Sequence, residues 1–173
     1  MQIFLIAGKS GSGKDEVAKI IKEYYKENNK KAVITGFSKY IKLFAMEILD
    51  WSGNSPKPRK FLQDFGELAR ENNEQIFIDR IIEDLKLYEN YCDIVVISDV
   101  RLIKEIEVLK EAANNVYTIH IITDKSKNDL TSDEQNHITE IELDNYDDFD
   151  YTIKNNFDES LKENVYKVLE GMI

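Results

Sequence analysis

The fold of this 173-residue chain follows above all from Gly8-Lys9-Ser10-Gly11-Ser12-Gly13-Lys14-Asp15. The apolar run at 1–7 before this stretch is typical of a buried strand, and the pattern after it is typical of an amphipathic helix. Strand, G-x-x-x-x-G-K and helix is the arrangement of a phosphate loop, in which glycines let backbone N–H groups surround an anion. The helix adds the positive end of its dipole, and Lys14 adds a charge that reaches the terminal phosphates. The stretch therefore predicts a nucleoside triphosphate site.

Two acidic residues are candidates for binding Mg²⁺. Asp15 stands where other phosphate loops have a Ser or Thr ligand, and a carboxylate is itself a good Mg²⁺ ligand. Asp99 follows the apolar run at 94–97, which is the place of the Mg²⁺-binding Asp in phosphate-loop folds; an N-cap of the next helix is the alternative. Arg101 is a forked donor suited to a phosphoryl group. These residues predict a metal-assisted phosphate site where two strands end.

The overall composition limits the classes of partner. The formal net charge is −10, whereas duplex nucleic acid and anionic membranes are bound through excess Lys and Arg, so we expect neither as a partner. The length suits a single domain over 1–173, present as a monomer or homodimer. Cys92, the only cysteine, is interpreted as a core thiol. No signal peptide or membrane span is recognised, which predicts a cytoplasmic protein.

Strand-like and helix-like segments alternate along the chain. Strands are predicted at 1–7, 32–35, 94–97, 116–122 and 149–153. This alternation predicts an α/β fold with a parallel sheet, helices on both faces and ligands at the carboxyl ends of the strands. A long helical insert, about 38–90, separates the second strand from the third, and the polar stretch 123–137 is interpreted as a lid. The acidic segment at 140–150 is interpreted as a solvated surface.

The helical insert carries a basic set in an acidic protein: Lys39, Lys42, Arg59, Lys60, Arg70 and Arg80. Each of these residues alone is explained as well by a solvated position on a helix as by a role in binding a ligand. Together they predict a pocket for an acceptor that carries phosphate, with Gln63 and Asp79 available to hydrogen-bond the rest of it. The two histidines predict neither a zinc site nor a Ser-His-Asp arrangement: His120 lies in a strand, and His137 is either a lid or a surface residue.

Nearly the whole chain resembles one group of phosphate-loop kinases. The ending Gly13-Lys14-Asp15 is similar to the loop of the phage-type deoxynucleoside monophosphate kinases and the animal-type phosphomevalonate kinases. Further segments resemble the same group in the same order: FSKYIK at 37–42, KPRKFLQDFG at 57–66, ISDVR at 97–101, and HITE at 137–140 with Leu143-Asp144. The loop and the segment at 97–101 are the specific parts of this resemblance.

The resemblance implies a P-loop NTPase fold, a three-layer sandwich around a parallel five-stranded sheet, with a helical acceptor-binding insert and a lid. It implies a nucleoside-monophosphate-kinase-like enzyme that uses ATP and Mg²⁺ to phosphorylate a small phosphate monoester, above all a (deoxy)nucleoside monophosphate. Lys9 and Lys14 would hold the transferred phosphoryl group, Asp15 and Asp99 would bind Mg²⁺, and Arg101 would bridge the donor and acceptor phosphates.

The same resemblance assigns the rest of the site. The nucleotide would be bound by the loop from Gly8 to Asp15, with Asn155 and Asn156 near the adenine. The acceptor pocket would be lined by Ser38, Lys42, Arg59, Gln63 and Arg70. Arg80 joins this pocket as a member of the basic set.

Other interpretations stay open. A nucleotide-dependent switch is suggested by SKND at 126–129, which resembles the guanine-reading N-K-x-D of GTPases but follows the wrong strand. An interaction module with a decayed pocket is a third class, and the basic insert argues against it. Phosphomevalonate and dephospho-coenzyme A compete with nucleotides as acceptors, because Arg and Lys recognise phosphate more clearly than a base. Two features depart from the family pattern: Glu16 replaces a small hydroxyl residue, and the lid has Lys125 and Lys127 but no arginine.

Overall fold

The computed structural model describes residues 1–125 and 130–172. Its strands are β1 (Gln2–Ala7), β2 (Ala32–Thr35), β3 (Ile94–Val100), β4 (Val116–Ile122) and β5 (Tyr151–Lys154). Its helices are α1 (Lys14–Glu27), α2 (Ser38–Leu49), α3 (Arg59–Asn72), α4 (Ile76–Tyr88), α5 (Ile103–Ala112), α6 (Ser132–Gln135), α7 (Ile138–Ile141) and α8 (Ser160–Glu170), with a 3-10 turn at Glu142–Asn145. Within the described ranges, no helix combines the length and apolar character that a membrane crossing requires.

The strands pair in parallel and form one sheet in the order β2-β3-β1-β4-β5. The register places Leu5 beside Ile97 and, after an irregularity, Ala7 beside Val100. The loop after β1 and the polar end of β3 therefore lie side by side at the carboxyl edge of the sheet. This edge is where ligands bind in open α/β folds.

Apolar side chains on the two faces of the sheet form two cores. One face packs on α1 and α8, with Ile21 and Val165 fully buried between them. The other face packs on α2, α4 and α5, through residues such as Ile41, Ile81 and Ile106. Helices thus cover both faces of a parallel sheet, which confirms the predicted three-layer α/β sandwich.

The third strand, predicted at 94–97, extends to Val100, and two later elements begin beside carboxylates that bind backbone N–H groups. The last strand, predicted from 149, begins at Tyr151, since Asp150 Oδ2 accepts a hydrogen bond from Thr118 N at 2.7 Å. The last helix, α8, begins at Ser160, whose N–H donates to Asp158 Oδ1 at 3.0 Å.

The interpretation of the segment at 140–150 as a solvated surface holds for Asp147 and Asp148, which are exposed, but not for Glu140 and Glu142, which are half-buried. The segment continues from α7 into the 3-10 turn, and several of its carboxylates bind donors elsewhere in the fold. Glu142 Oε1 accepts a hydrogen bond from Ile103 N at 2.7 Å, at the first residue of α5. The start of a helix has N–H groups without intrahelical partners, and carboxylates are good acceptors for them. Glu140 and Asp144 of the same segment contact the phosphate loop.

The polar stretch interpreted as a lid includes 126–129, which lie outside the described residues. Its later part forms α6, which begins with a reciprocal cap: Thr131 Oγ1 accepts from Glu134 N at 3.3 Å, and Glu134 Oε2 accepts from Thr131 N at 2.8 Å. Gln63 Nε2 of α3 donates to Glu134 O at 3.3 Å. The stretch is therefore in contact with the helical insert.

Candidate active site

The phosphate loop turns sharply where glycine is required. Gly8 and Gly13 have φ values of 145° and 96°, a region that favours glycine. A Cβ on Gly8 would lie 2.5 Å from Ile121 O, because the loop packs closely on β4. A Cβ on Gly13 would collide with the side chain of Asn155, whose Nδ2 donates to Ser12 O at 2.9 Å. β4 and the Asn155 side chain thus hold the loop in its anion-binding shape.

Lys14 is nearly buried inside the loop, with 7 % of its surface exposed. Its Nζ donates hydrogen bonds to the carbonyl oxygens of Gly8 and Lys9, both at 2.7 Å. Burial, with a smaller effect from the Arg101 charge, lowers the pKa of Lys14 to about 7. A bound anion would stabilise the charged ammonium. The loop is therefore built to gain positive charge when a phosphate enters.

The Asp99 carboxylate connects the end of β3 to the start of α2. Oδ1 accepts a hydrogen bond from Phe37 N at 2.8 Å, and Oδ2 accepts from Ser38 N at 3.0 Å and from the Ser38 hydroxyl. Gly36 lies against the same carboxylate, since an added Cβ would be 2.5 Å from Oδ1. The alternative that Asp99 caps the helix after it is wrong, because its backbone partners belong to the start of α2.

Asp15 lies near this carboxylate, in the first turn of α1. Its Oδ1 accepts a long hydrogen bond from Ser98 Oγ at 3.4 Å, and both Asp15 and Asp99 line the same cavity. Mg²⁺ at nucleotide sites is held by one or two carboxylates together with phosphate oxygens and water. The two hard oxygen donors fit such an ion. Across the described parts of the chain, no group of three or more His, Cys, Asp or Glu side chains forms a metal site by itself.

Two carboxylates hold Arg101 at the edge of the cavity. Its backbone N–H donates to Glu105 Oε2 at 2.7 Å, and its Nη1 lies 2.8 Å from Glu140 Oε2. Glu105 Oε2 also accepts from Leu102 N at 3.1 Å. Burial raises the pKa of Glu105 to about 7, because only 2 % of the residue is exposed. Glu105 was not predicted from the sequence, although an acidic residue at the third position of a helix is a known capping signal.

One cavity of about 460 Å³ connects the phosphate loop to the helical insert. Its loop side includes Ser10, Gly11, Gly13, Lys14, Asp15, Asp99 and Arg101. Its insert side includes the predicted acceptor residues Ser38, Lys42, Arg59, Gln63 and Arg70. Lys57 also lines the cavity and was not predicted. Arg59 Nη1 lies 3.5 Å from Ser10 Oγ, so the two sides meet directly.

Among the described residues, the cavity lining leaves out Lys9 and three members of the predicted basic set, Lys39, Lys60 and Arg80. Arg80 is exposed on α4 and pairs with Glu83 at 2.9 Å, and it is not part of the cavity lining formed by the described residues. The structure therefore corrects its placement in the acceptor pocket. Lys9 Nζ pairs with Asp144 Oδ2 at 2.8 Å.

The two asparagines predicted near the adenine have different environments. Asn155 is buried, where its side chain donates to Ser12 O and accepts from Phe157 N at 2.8 Å. It also lines a second cavity of about 420 Å³, next to Gly13. Asn156 is exposed. Asn155 thus supports the loop directly, and its contact with a base stays a prediction.

Comparison of the sequence with protein-family models and with curated proteins finds no match. Solved structures with the same fold include the APS kinase of Mycobacterium tuberculosis in complex with AMPPNP and APS, which is 13 % identical with a TM-score of 0.53 over 99 % of this chain and 96 % of that one. Shikimate kinase from Acinetobacter baumannii in complex with shikimate is 15 % identical, with a TM-score of 0.54 over 99 % and 92 %. A gluconokinase from Sinorhizobium meliloti is 15 % identical, with a TM-score of 0.52 over 99 % and 91 %. The chain has the fold of the phosphate-loop kinases.

Proposed function

We propose that this protein transfers the γ-phosphoryl group of ATP to a small phosphate monoester, most specifically a (deoxy)nucleoside monophosphate. The observation that carries the proposal is a single cavity with a phosphate loop on one side and Lys42, Arg59 and Arg70 on the other. A kinase with a phosphorylated acceptor must bring two anionic groups together, so it needs cations on both sides of the reacting phosphorus. This requirement explains why an acidic protein concentrates basic residues at one cavity.

The donor half of the reaction uses the loop and the residues next to it. Backbone N–H groups and the start of α1 bind the triphosphate, and Lys14 exchanges its two carbonyl partners for phosphate oxygens. Asp15 and Asp99 are the residues that would hold Mg²⁺, which when bound neutralises and orients the phosphates. Arg101 supplies a guanidinium for the charge that spreads over the transferred group.

The acceptor half uses the insert. Arg59 reaches the loop, with its Nη1 3.5 Å from Ser10 Oγ, so a phosphate bound to Arg59 lies near the transferred group. Arg70 packs its guanidinium over the Phe77 ring, 5.4 Å from the centroid, which fixes its direction. A phosphate monoester oxygen is already a nucleophile. Positioning and charge neutralisation are therefore sufficient, without a general base.

The remaining lining favours a nucleotide over a purely anionic acceptor. Phe37, Ile41 and Leu62 give the cavity an apolar wall, and Gln63 adds an amide. A nucleobase combines apolar faces with a polar edge, which suits this mixture. Phosphomevalonate and dephospho-coenzyme A also carry phosphate, and they are the acceptors that compete with nucleotides in this proposal.

The test is ADP release from Mg·ATP with each ribo- and deoxyribonucleoside monophosphate, with phosphomevalonate, with dephospho-coenzyme A and without acceptor. We expect turnover that requires one nucleoside monophosphate and is lost in Lys14→Ala. ATP binding with no acceptor-dependent turnover would refute the kinase proposal and favour a switch or an interaction module. The SKND segment that suggested the switch lies at 126–129, outside the described residues.

A further inference from the structure

One oxygen of Glu140 occupies a position suited to a phosphate oxygen. Oε2 accepts a hydrogen bond from the backbone N–H of Ser10 at 2.9 Å and lies 2.8 Å from Arg101 Nη1. A phosphate-loop amide and a guanidinium are also the donors that a phosphoryl group requires. The Glu140 side chain is 10 % exposed, so this contact is largely shielded from water.

A second carboxylate of the same segment contacts the loop. Asp144 Oδ2 pairs with Lys9 Nζ at 2.8 Å, with 40 % and 59 % of the two side chains exposed. An exposed pair of this kind contributes little free energy. Glu140 is therefore the main contact, and Asp144 a supporting one. Together they engage Arg101, which the proposed reaction assigns to phosphate, and Lys9 of the phosphate loop.

We propose that Glu140 is an internal competitor of the nucleotide, and that residues 139–144 form an autoinhibitory latch on the phosphate loop. This inference rests on the proposed nucleotide site. The Ser10 N–H and Arg101 Nη1 cannot donate to the Glu140 carboxylate and to a phosphoryl oxygen at the same position. A carboxylate left within a few ångströms of the triphosphate would also repel it. Nucleotide binding must therefore displace Glu140 from these two donors.

The latch consists of two short elements. α7 and the 3-10 turn have four residues each and contain no fully buried residue, and Leu143 of the turn is half-buried against the core. Short segments with little buried apolar surface are the parts of a protein that open locally at low free-energy cost. Glu142, which binds Ile103 N at 2.7 Å, holds the middle of the segment to α5. This contact involves neither Ser10 nor Arg101, so it can persist while the Glu140 side chain is released.

The test is the affinity for Mg·AMPPNP, measured by calorimetry on the wild-type chain and on Glu140→Gln. The amide keeps an oxygen for the N–H of Ser10 and removes the negative charge, so we expect the dissociation constant to fall by about ten-fold. Asp148→Asn is the matched control, since it removes a carboxylate from the same segment at a side chain that is 90 % exposed. We expect its affinity to stay within about two-fold of wild type.

A second measurement follows the latch itself. Mg·AMPPNP should increase hydrogen exchange in a peptide covering 138–145 of the wild-type chain, and Glu140→Gln should show the increased exchange before nucleotide is added. Unchanged or weaker nucleotide affinity in Glu140→Gln would overturn the latch and make Glu140 a positioning residue for Arg101. Because both measurements report binding without turnover, they separate failure of the latch from failure of the kinase proposal. Absence of nucleotide binding in every variant would overturn both.

Discussion

The carboxylate of Asp99 accepts hydrogen bonds from both the backbone N–H and the hydroxyl of Ser38, and so ties the end of β3 to the first residue of the helical insert. The two residues are 61 positions apart in the chain. Asp99 also lines the cavity on the side of the phosphate loop. The contact therefore couples the proposed metal site to the acceptor side of the cavity.

Gly36→Ala should break this connection. The new Cβ would lie 2.5 Å from Asp99 Oδ1, so the carboxylate must move away from its donors. We expect a loss of about 1–3 kcal/mol in the free energy of unfolding, measured by urea denaturation. Gly171→Ala is the matched control, because its nearest contact would be an ordinary 3.4 Å. Equal effects of the two substitutions would contradict the packing of Gly36 on Asp99.

Glu105→Gln should make the stability of the protein less sensitive to the rise in pH from about 4.5 to about 7. The folded-state pKa of Glu105 is about 7 against 4.5 for an ordinary glutamate, so between these values the folded state binds more protons than the unfolded state. Stability therefore falls as pH rises through this window. The glutamine does not ionise, and its oxygen can still accept from the N–H groups of Arg101 and Leu102.

Thermal unfolding of wild type and Glu105→Gln between about pH 5 and pH 8 measures this effect. The stability of the variant relative to wild type should improve by about 2–3 kcal/mol across the range. Glu111→Gln, on the exposed side of the same helix, controls for the change of residue type. A difference between wild type and Glu105→Gln that is constant with pH would contradict the assigned pKa.

Lys14 should take up a proton when the nucleotide binds. Its pKa is lowered from 10.5 to about 7 in the free protein, so above about pH 8 the free protein has a mostly neutral Lys14. Because the folded state then binds fewer protons than the unfolded state, the free energy of unfolding rises with pH between about 7 and 10.5. A phosphate next to Nζ restores the charged form. Calorimetry of Mg·AMPPNP binding in buffers of different ionisation enthalpy should show uptake approaching one proton at about pH 8.5 and little at about pH 6. Equal uptake at both values would contradict a depressed pKa for Lys14.

Arg70→Met should raise the KM of the acceptor and leave the KM of ATP unchanged. The substitution keeps an apolar chain over Phe77 and removes the guanidinium that lines the cavity. Loss of a charge-assisted hydrogen bond corresponds to an increase of about 10- to 100-fold in the KM of the acceptor. Arg80→Met is the control, since Arg80 pairs with Glu83 outside the cavity lining. A similar increase in the KM of ATP would mean that Arg70 acts on the donor side.

The features that could be predicted from the sequence, the sheet and the phosphate loop, depend on local patterns of residues. The phosphate loop is contiguous, and strands that alternate with helices allow few topologies, so the sheet and the loop follow from residues near one another in the chain. The contacts of Glu140 and Asp144 with the loop could not be predicted, because they join residues 130 and 135 positions apart. Arg80 shows a related limit. A basic residue on an amphipathic helix does not reveal whether it faces the cavity or, as here, a neighbouring Glu83.

The most direct test of the central claim is the fate of the γ-phosphorus of ATP. Wild-type protein, Mg²⁺ and γ-³²P-labelled ATP are incubated with the acceptor selected by the ADP-release panel, and the products are separated. We expect the label to appear in the acceptor as a new phosphoanhydride, and Lys14→Ala to transfer none. Label found only in inorganic phosphate, with or without acceptor, would show a nucleotide hydrolase and contradict phosphoryl transfer to a phosphate monoester.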